Sequence, residues 1–307
     1  MAKNWTLVRR QGALRARANI LQAIRLFFIH EGYVEVETPY RIPAPAPESH
    51  IDAVPSGSWY LHTSPELCMK RLLAAGVEKI FQICRCWREG ERGSQHIPEF
   101  TLLEWYRANT DYLGLMVECE ALILHVASAL GLGALLHYRE QTIELAPPWE
   151  RISVNEAFQR YAHIPMKKAL TEHQFDEIMV EKIEPHLGRH KPTFLYDYPA
   201  ERAALARLKM EDPTLAERFE LYIGGLELAN AFSELIDAEE QRKRFLCEQG
   251  NRRSRSKPSY PLPEKFLREL EAMPPAAGIA LGVDRLVMVM LDAHTIDEVI
   301  AFTPEEL

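Results

Sequence analysis

The stretch IFQICRCWREGERGSQHIPEFTLLEWY, residues 80–106, decides the fold. Its first eight residues alternate in character as a strand does, a polar loop with Gly90 and Gly93 follows, and FTLLEWY (100–106) reads as a returning strand. The pattern predicts a long-looped antiparallel hairpin. Arg88 lies at the start of that loop, where a planar guanidinium could grip a phosphate with two hydrogen bonds.

A second hairpin is predicted in FELYIGGLELANAFSELID, residues 219–237. If its two glycines form a two-residue turn, Tyr222 stands opposite Glu227. Glu220 then stands opposite Ala229, on the same face as Glu227. Two carboxylates at that spacing could bind one hard cation together with phosphate oxygens, and magnesium is the expected ion.

The second hairpin continues into polar residues within an apolar segment, namely Asn230, Glu234 and Asp237. Buried carboxylates are costly unless a cation meets them, so the segment predicts a cationic ligand. A simple pleat would put Glu234 on the face opposite Glu227. If all of these side chains serve one site, a bulge near residues 229–231 is required.

A third motif, GIALGVDRLVMVML (278–291), predicts a strand that runs into a helix. Gly278 and Gly282 would permit close approach of a nucleotide to the strand backbone, and Arg285 ends the turn. Arg88, Arg285 and the two glutamates together resemble an apparatus that neutralises a triphosphate during attack on phosphorus.

The rest of the chain supplies helices and one further strand. Helical periodicity or caps predict helices at 14–31, closed by Gly32, at 64–75, with Ser64 as N-cap and Pro65 next, and at 111–130, with capping boxes at Ser153/Glu156 and Thr171/Gln174. YVEVETP (33–39) alternates as a strand with one buried face. Strands separated by turns, with helices between them, predict an α+β fold: an antiparallel sheet flanked by helices.

Composition limits the class of protein. The chain has 307 residues, 47% of them hydrophobic, and a net charge of −8, which argues against a protein that coats nucleic acid. It shows no signal peptide and no apolar run approaching a membrane span, so a soluble cytoplasmic protein without a membrane partner is expected. Five cysteines without CxxC spacing suggest neither a disulfide framework nor a zinc site. The basic cluster at 252–257 is interpreted as a solvated loop.

The quoted motifs, with GYVEVETP at 32–39, resemble the three signature motifs of class II aminoacyl-tRNA synthetases, and most closely the lysyl-tRNA synthetase catalytic core. The resemblance covers nearly the whole chain. It implies one catalytic domain, 1–307, without the N-terminal anticodon-binding OB-fold of full lysyl enzymes. That arrangement is typical of the stand-alone lysyl paralogues that ligate (R)-β-lysine to a lysine of translation elongation factor P.

The resemblance implies a role for each matching residue. ATP would be bound by Arg88, Glu89, Gly90, Ile97, Phe100, Glu220, Leu221, Gly282 and Arg285, with Arg88 at the α-phosphate, Phe100 under adenine and Arg285 at the γ-phosphate. The amino acid would be bound by Ser64, Pro65, Glu66, Tyr106, Glu227, Asn230, Glu234 and Ala280, with Tyr106 and Glu234 at the distal ammonium. Magnesium would be held by Glu220 and Glu227. A homodimer through the strand at 33–38 is implied as well.

Three departures from the family pattern stand out. The adenine-contacting glutamate is displaced by one position in the run from Arg88 to Glu91. Ile97 replaces an asparagine and can offer only backbone contacts. Ala280 replaces a glycine of lysyl synthetases, and alanine there is typical of the β-lysine ligases.

The predicted reaction is attack of the amino-acid carboxylate on the α-phosphorus of ATP, followed by transfer of the acyl group to an amine. Arg88 and Arg285 are the expected catalytic residues. One alternative is an enzyme that activates α-lysine for RNA or another acceptor, although tRNA is not expected as a partner of so acidic a chain. The other is a catalytically silent sensor of amino acid or nucleotide.

Overall fold

A computed structural model describes residues 5–307. The helices are α1 Trp5–His30, α2 Glu66–Ala74, α3 Tyr112–Ala129, α4 Val154–Ala157, α5 Met166–Thr171, α6 Phe175–Ile178, α7 Ala238–Ser254, α8 Glu264–Leu270 and α9 Val283–Met290. The strands are β1 Val34–Glu35, β2 Arg41–Ile42, β3 Pro55–Ser56, β4 Trp59–Leu61, β5 Lys79–Trp87, β6 Glu99–Ala108, β7 Leu135–Tyr138, β8 Gln141–Glu144, β9 Glu150–Ser153, β10 Thr193–Pro199, β11 Leu215–Ile223, β12 Leu226–Ser233 and β13 Ala276–Gly282.

An eight-stranded sheet organises the molecule, in the order β1-β5-β6-β13-β12-β11-β10-β9. Its inner pairings are antiparallel, whereas the two edge pairings, β1 with β5 and β10 with β9, are parallel. The predicted α+β fold with flanking helices is therefore confirmed, with a mixed sheet in place of a purely antiparallel one. Helices α1, α3 and α9 cover one face and bury the main hydrophobic core against it.

The first predicted hairpin is strands β5 and β6, paired in register from Lys79 with Arg107 to Trp87 with Glu99. The third motif also forms as predicted: β13 lies between β6 and β12 and runs directly into α9. The order of strands therefore brings all three motifs to the centre of one sheet.

The second hairpin forms, but its register differs from the prediction. Tyr222 pairs with Glu227 as expected, whereas Glu220 pairs with Asn230 and not with Ala229. Leu228 is an extra residue in β12 and forms a bulge, slightly earlier than the predicted position. The bulge restores alternation beyond it, so Glu227 and Asn230 share a face.

Two further local predictions are wrong. Val34 is 53% exposed because β1 is a two-residue edge strand, so the expected buried face of 33–39 does not form there. Thr171 caps no helix: it ends α5, where its hydroxyl donates to the carbonyl of Lys167 at 2.9 Å. The next helix, α6, begins after Gln174, which makes no side-chain cap. The Ser153/Glu156 capping box is confirmed.

Helix α1 begins at Trp5, earlier than predicted, and ends before Gly32, whose φ is +76°. Helix α2 begins at Glu66 with Pro65 as N-cap, one position later than expected, although the Ser64 hydroxyl still accepts from the Glu66 amide at 3.0 Å. This places the Ser64 side chain at the end of the helix that faces the cavity described below.

Helix α3 is long and apolar enough to cross a membrane by length and composition alone, contrary to the expectation that no segment comes close. This is weak support for a span, because a core helix passes the same test. The helix packs against α1 and the sheet, and its Glu118 accepts hydrogen bonds from Tyr33 and Arg107.

The basic cluster at 252–257 is not a solvated loop. Helix α7 extends to Ser254, and the Arg252 side chain is fully buried. Its guanidinium donates to the carbonyls of Glu48 and Ile51 and to the carboxylate of Asp52. Because these partners satisfy the buried charge, Arg252 fixes the segment that carries Glu48 along the cavity.

Candidate active site

A cavity of about 310 Å³ opens above the centre of the sheet, between the β5-β6 loop, β12, β13 and the start of α2. Most of the residues predicted from the sequence line it: Ser64, Glu66, Arg88, Ile97, Phe100, Tyr106, Glu227, Asn230, Ala280, Gly282 and Arg285. The sequence motifs therefore converge on one cavity.

Four of the predicted residues lie elsewhere. Glu89 and Gly90 are exposed in the β5-β6 loop, and Glu91 faces the cavity in their place. Leu221 is fully buried in the main core, because its side chain points to the sheet face opposite Glu220. Pro65 is the buried N-cap of α2.

One end of the cavity, which we call the acidic end, is formed by Ser64, Glu66, Lys70, Glu104, Tyr106 and Glu234. Glu104 is 1% exposed and accepts hydrogen bonds from the hydroxyls of Ser64 at 2.5 Å and Tyr106 at 2.7 Å. Burial, followed by the charge of Glu66, raises the pKa of Glu104 to about 8. The surroundings thus resist its ionisation when no cation is added.

Lys70 is the internal cation of the acidic end. Its ammonium lies 2.6 Å from Glu66 Oε1 and 2.5 Å from Glu234 Oε2, and its side chain is 1% exposed. Burial would lower the pKa of Lys70, but the charges of Glu234 and Glu66 outweigh burial and raise it. The expected cationic partner of Glu234 is therefore partly supplied by the protein itself.

Glu234 is still under-coordinated. Its side chain is completely buried, yet neither carboxylate oxygen accepts a hydrogen bond of good geometry. Burial raises its pKa to about 8, against the opposing charge of Lys70. A buried carboxylate with a free oxygen beside the hydroxyl of Tyr106 fits a ligand ammonium.

Gly278 makes this arrangement possible, in a way that differs from the prediction. A Cβ at this position would lie 2.2 Å from the ring of Tyr106 and 2.5 Å from Glu234 Oε1. The close approach is therefore made by the two side chains of the acidic end and not by a nucleotide. Asp237, predicted to join them, is exposed and caps α7 instead.

The other end of the cavity, which we call the arginine end, holds Arg88 and Arg285. The Arg88 guanidinium lies 5.0 Å from the centroid of the Phe100 ring, and its buried Nε has no hydrogen-bond partner. Glu91 lies 3.8 Å from its NH1 group. An aromatic ring beside a guanidinium with a free donor suits a base and its phosphate.

Arg285 is held by the two neighbouring hairpins. Its guanidinium donates to the carbonyl of Glu227 at 2.8 Å and to Nε2 of His96 at 2.6 Å. Burial, and next the charge of Arg285, lowers the pKa of His96, which keeps the ring neutral and able to accept. The sequence alone left His96 without an assigned role, and the structure makes it a positioning residue for Arg285.

The two glutamates of the second hairpin differ in their surroundings. Glu220 accepts from the hydroxyls of Tyr198 and Tyr222 and from Arg218, at 2.6 to 2.7 Å. Glu227 faces the cavity with a 38% exposed side chain, 3.3 Å from Arg285. Desolvation in the cleft, and next the charge of Glu220, raise its pKa.

A third carboxylate adds to this concentration of negative charge. Burial and the charges of Glu220 and Glu227 raise the pKa of Glu184 to about 7. Such an excess of carboxylates fits a magnesium ion with phosphate oxygens, and Glu227 presents the more accessible carboxylate.

Sequence reasoning missed Glu48, Lys70, Glu91, Glu104, Glu184 and Arg218. Some of them had a detectable signal. Lys70 follows Glu66 by one helical turn, and Glu104 precedes Tyr106 by two positions on a strand, so each shares a face with a predicted residue. Glu184 had none, because it lies in a short 3₁₀ segment that approaches the site only through the tertiary fold.

Comparison with known proteins bears on what this cavity does. A family model described as "tRNA synthetases class II (D, K and N)" matches residues 5–306. The chain is 40% identical over 309 residues to a protein of Pectobacterium carotovorum subsp. carotovorum (strain PC1) named "Elongation factor P--(R)-beta-lysine ligase", covering 95% of each chain. It is 39% identical over 323 residues to proteins of the same name from Salmonella paratyphi B and Salmonella heidelberg, covering 94% of each.

Proposed function

Because this chain belongs to the class II tRNA synthetases (D, K and N), we propose that it is an ATP-dependent ligase acting on (R)-β-lysine and elongation factor P. It activates the amino acid as an aminoacyl-adenylate and transfers it to a lysine side chain of the factor. The identity of the amino acid and of the acceptor comes from the names of its relatives.

The observation that carries the proposal is the charge of the acidic end. Three buried or half-buried carboxylates, Glu66, Glu104 and Glu234, face a single protein ammonium, that of Lys70. When all are ionised the group is two charges short of neutrality. Lysine and β-lysine each carry two ammonium groups, which is the number that this end lacks.

The arginine end supports the first chemical step. In this proposal an oxygen of the amino-acid carboxylate attacks the α-phosphorus of ATP, a new P–O bond forms, and pyrophosphate leaves. Arg88 binds the α-phosphate and Arg285 the γ-phosphate, so positive charge lies where negative charge develops. Phe100 provides a flat surface for the base, and His96 orients Arg285.

The second step transfers the acyl group. The neutral amine of the acceptor lysine attacks the acyl carbon of the adenylate, the C–N bond forms, AMP leaves, and the amine loses a proton. The cavity contributes by holding the reactants together and excluding water, so no cysteine or histidine nucleophile is required.

Magnesium belongs to the proposal as a partner of the triphosphate. Glu220 and Glu227 would hold it, with Glu184 adding negative charge nearby. The ion would supply charge neutralisation to the pyrophosphate leaving group. Glu227 keeps its contact with Arg285, which ties the second hairpin to the third motif.

Further features complete the proposal. Residues 5–306 act as one catalytic unit, the protein works in the cytoplasm, and two copies associate through the edge near β1. Light scattering at micromolar concentration tests the last point. A mass of one chain would contradict it.

Incubation of the protein with ATP, magnesium, and either (R)-β-lysine or L-α-lysine, followed by mass spectrometry of added elongation factor P, tests the function. We expect a mass gain equal to one lysyl residue, formed with the β isomer in preference. Activation without modification of the factor would contradict the proposed acceptor, and preference for L-α-lysine would contradict the proposed substrate.

A further inference from the structure

A group of buried soft donors lies beneath the cavity and takes no part in the proposed reaction. His62, Cys84 and Cys86 are 1%, 3% and 0% exposed, and their donor atoms all lie within 4.8 Å of one another. The two cysteines are alternate residues of β5, so their thiols share one face of the sheet. His62 follows β4 and reaches the same point from the segment that leads to Ser64.

The distances within this group suit a metal ion. Sγ of Cys86 lies 3.9 Å from Sγ of Cys84 and 3.9 Å from Nε2 of His62. Together with the 4.8 Å limit, these separations leave a point about 2.5 Å from all three atoms, close to the roughly 2.3 Å of a Zn–S bond. Small shifts would bring the donors to coordination distance.

A further buried donor points to the same conclusion. Gln82 precedes Cys84 by two residues on β5, is 2% exposed, and its Oε1 atom has no hydrogen-bond partner. Residues 82, 84 and 86 share one face of the strand. An unsatisfied buried oxygen is costly, and coordination to a cation would satisfy it as a fourth ligand.

The group is otherwise closed by its neighbours. Nε2 of His62 lies 2.7 Å from the carbonyl of Arg85, and the imidazole packs against Tyr40 and Trp87. A bound metal would take the place of the proton in that hydrogen bond, and the imidazole proton would move to Nδ1. Hydrogen bonding from Cys86 lowers the pKa of Cys84 to about 6, which favours the thiolate that metals require.

A disulfide is the competing use of two nearby thiols. Alternate residues of an extended strand are separated by about 6.6 Å at Cα, near the upper limit for a disulfide. Strand β5 is paired on both sides, with β1 and β6, so its backbone has little freedom to contract. Coordination needs no such contraction.

We propose that His62, Cys84 and Cys86, with Gln82, form a binding site for a thiophilic cation of the Zn²⁺ type. Binding releases the remaining thiol protons and ties the segment of Ser64 and Glu66 to strand β5. The cysteines pack under Phe100 and Ala280, so the ion would lie directly below the floor of the cavity. The site is independent of the proposed reaction and of the carboxylates that would hold magnesium.

Cobalt(II) titration of the fully reduced protein tests this site, because thiolate coordination gives an intense charge-transfer band that carboxylate ligands do not. The Cys247→Ser variant serves as the background, since Cys247 is exposed and would bind metal adventitiously. We expect one equivalent of Co²⁺ to give the band, and one equivalent of Zn²⁺ to displace it.

In that background, Cys84→Ser and Cys86→Ser should each lose the thiolate band or weaken Zn²⁺ affinity at least about tenfold. His62→Gln, which leaves both thiols in place, should weaken affinity similarly, and it guards against loss of fold as the cause. The matched control is Cys68→Ser, half-buried on α2 and outside the group, which should bind as the background does. Absence of a thiolate band in the folded background protein would overturn the proposal, as would equal affinity in all variants.

Discussion

The two ends of the cavity solve opposite problems with different kinds of structure. The acidic end is built on α2, β6, β12 and β13, its charges are almost completely buried, and Lys70 compensates part of them. The arginine end rests largely on the β5-β6 loop, and its charges are partly exposed. The first is a fixed receptor for a small cation, whereas the second leaves free donors for a large anion.

Lys70→Met would break the acidic end most severely. Removing the ammonium leaves Glu66 and Glu234 without their buried partner, and we expect a loss of about 3–5 kcal/mol in the free energy of unfolding. Urea denaturation measures it. The double variant Lys70→Met/Glu234→Gln should recover part of the loss, because the uncompensated charge is gone. A loss below about 1 kcal/mol in the single variant would show that the pair is not coupled as described.

Arg285→Ala would break the arginine end while leaving the acidic end intact. We expect kcat for ATP-pyrophosphate exchange to fall about 10²- to 10³-fold, because charge developing on the phosphates loses its partner. Amino-acid binding measured by calorimetry should persist. Arg268→Ala, on the surface of α8, is the matched control and should behave as wild type. Full exchange activity in Arg285→Ala would refute the assignment.

The contrast also predicts a dependence on pH. Glu104 and Glu234 have folded pKa values of about 8, above the value of about 4.3 in an unfolded chain, so the folded protein holds extra protons between these limits. Stability of the unliganded protein should therefore fall as pH rises from about 5 to 8.

A diammonium ligand needs the ionised carboxylates, so its affinity should rise by up to about tenfold per pH unit over pH 6 to 8 for each group that must ionise. Calorimetry at pH 7 in two buffers of different ionisation enthalpy should detect proton release on binding. Glu104→Gln should reduce the number released. Affinity that is flat over this range would mean that neither carboxyl is protonated before binding.

Glu91→Gln should have the smallest effect. Glu91 faces the cavity 3.8 Å from Arg88 in a partly exposed pair, so its loss should change KM for ATP about two- to fivefold. Glu89→Gln, two positions away and exposed, should leave KM unchanged. The reverse ranking would restore the sequence-based assignment of Glu89 to the nucleotide site.

The sequence predicted the elements that contain their own signal. Alternation and turn glycines located both hairpins, and the strand-to-helix motif located Arg285. The bulge was predicted because Glu227, Asn230 and Glu234 could not otherwise serve one site, but its position at Leu228 depends on how β12 packs between β11 and β13.

What the sequence could not give is the partner of each buried charge. Arg252 was interpreted as solvated because its neighbours in the chain are polar, yet its partners lie some 200 residues earlier. Cys84 and Cys86 suggested no metal site, because their third and fourth donors come from another segment and from an ordinary glutamine. Such groupings exist only after tertiary folding.

The most direct test of the account is ATP-pyrophosphate exchange with (R)-β-lysine by wild type and Glu234→Gln. Glu234 lies in the acidic end alone, and loss of a charged hydrogen bond there costs about 1.5–3 kcal/mol. We predict that KM for (R)-β-lysine rises about 10- to 100-fold while KM for ATP stays the same. Equal KM for the amino acid in the two proteins, or a matching rise in KM for ATP, would contradict the division of the cavity into two ends.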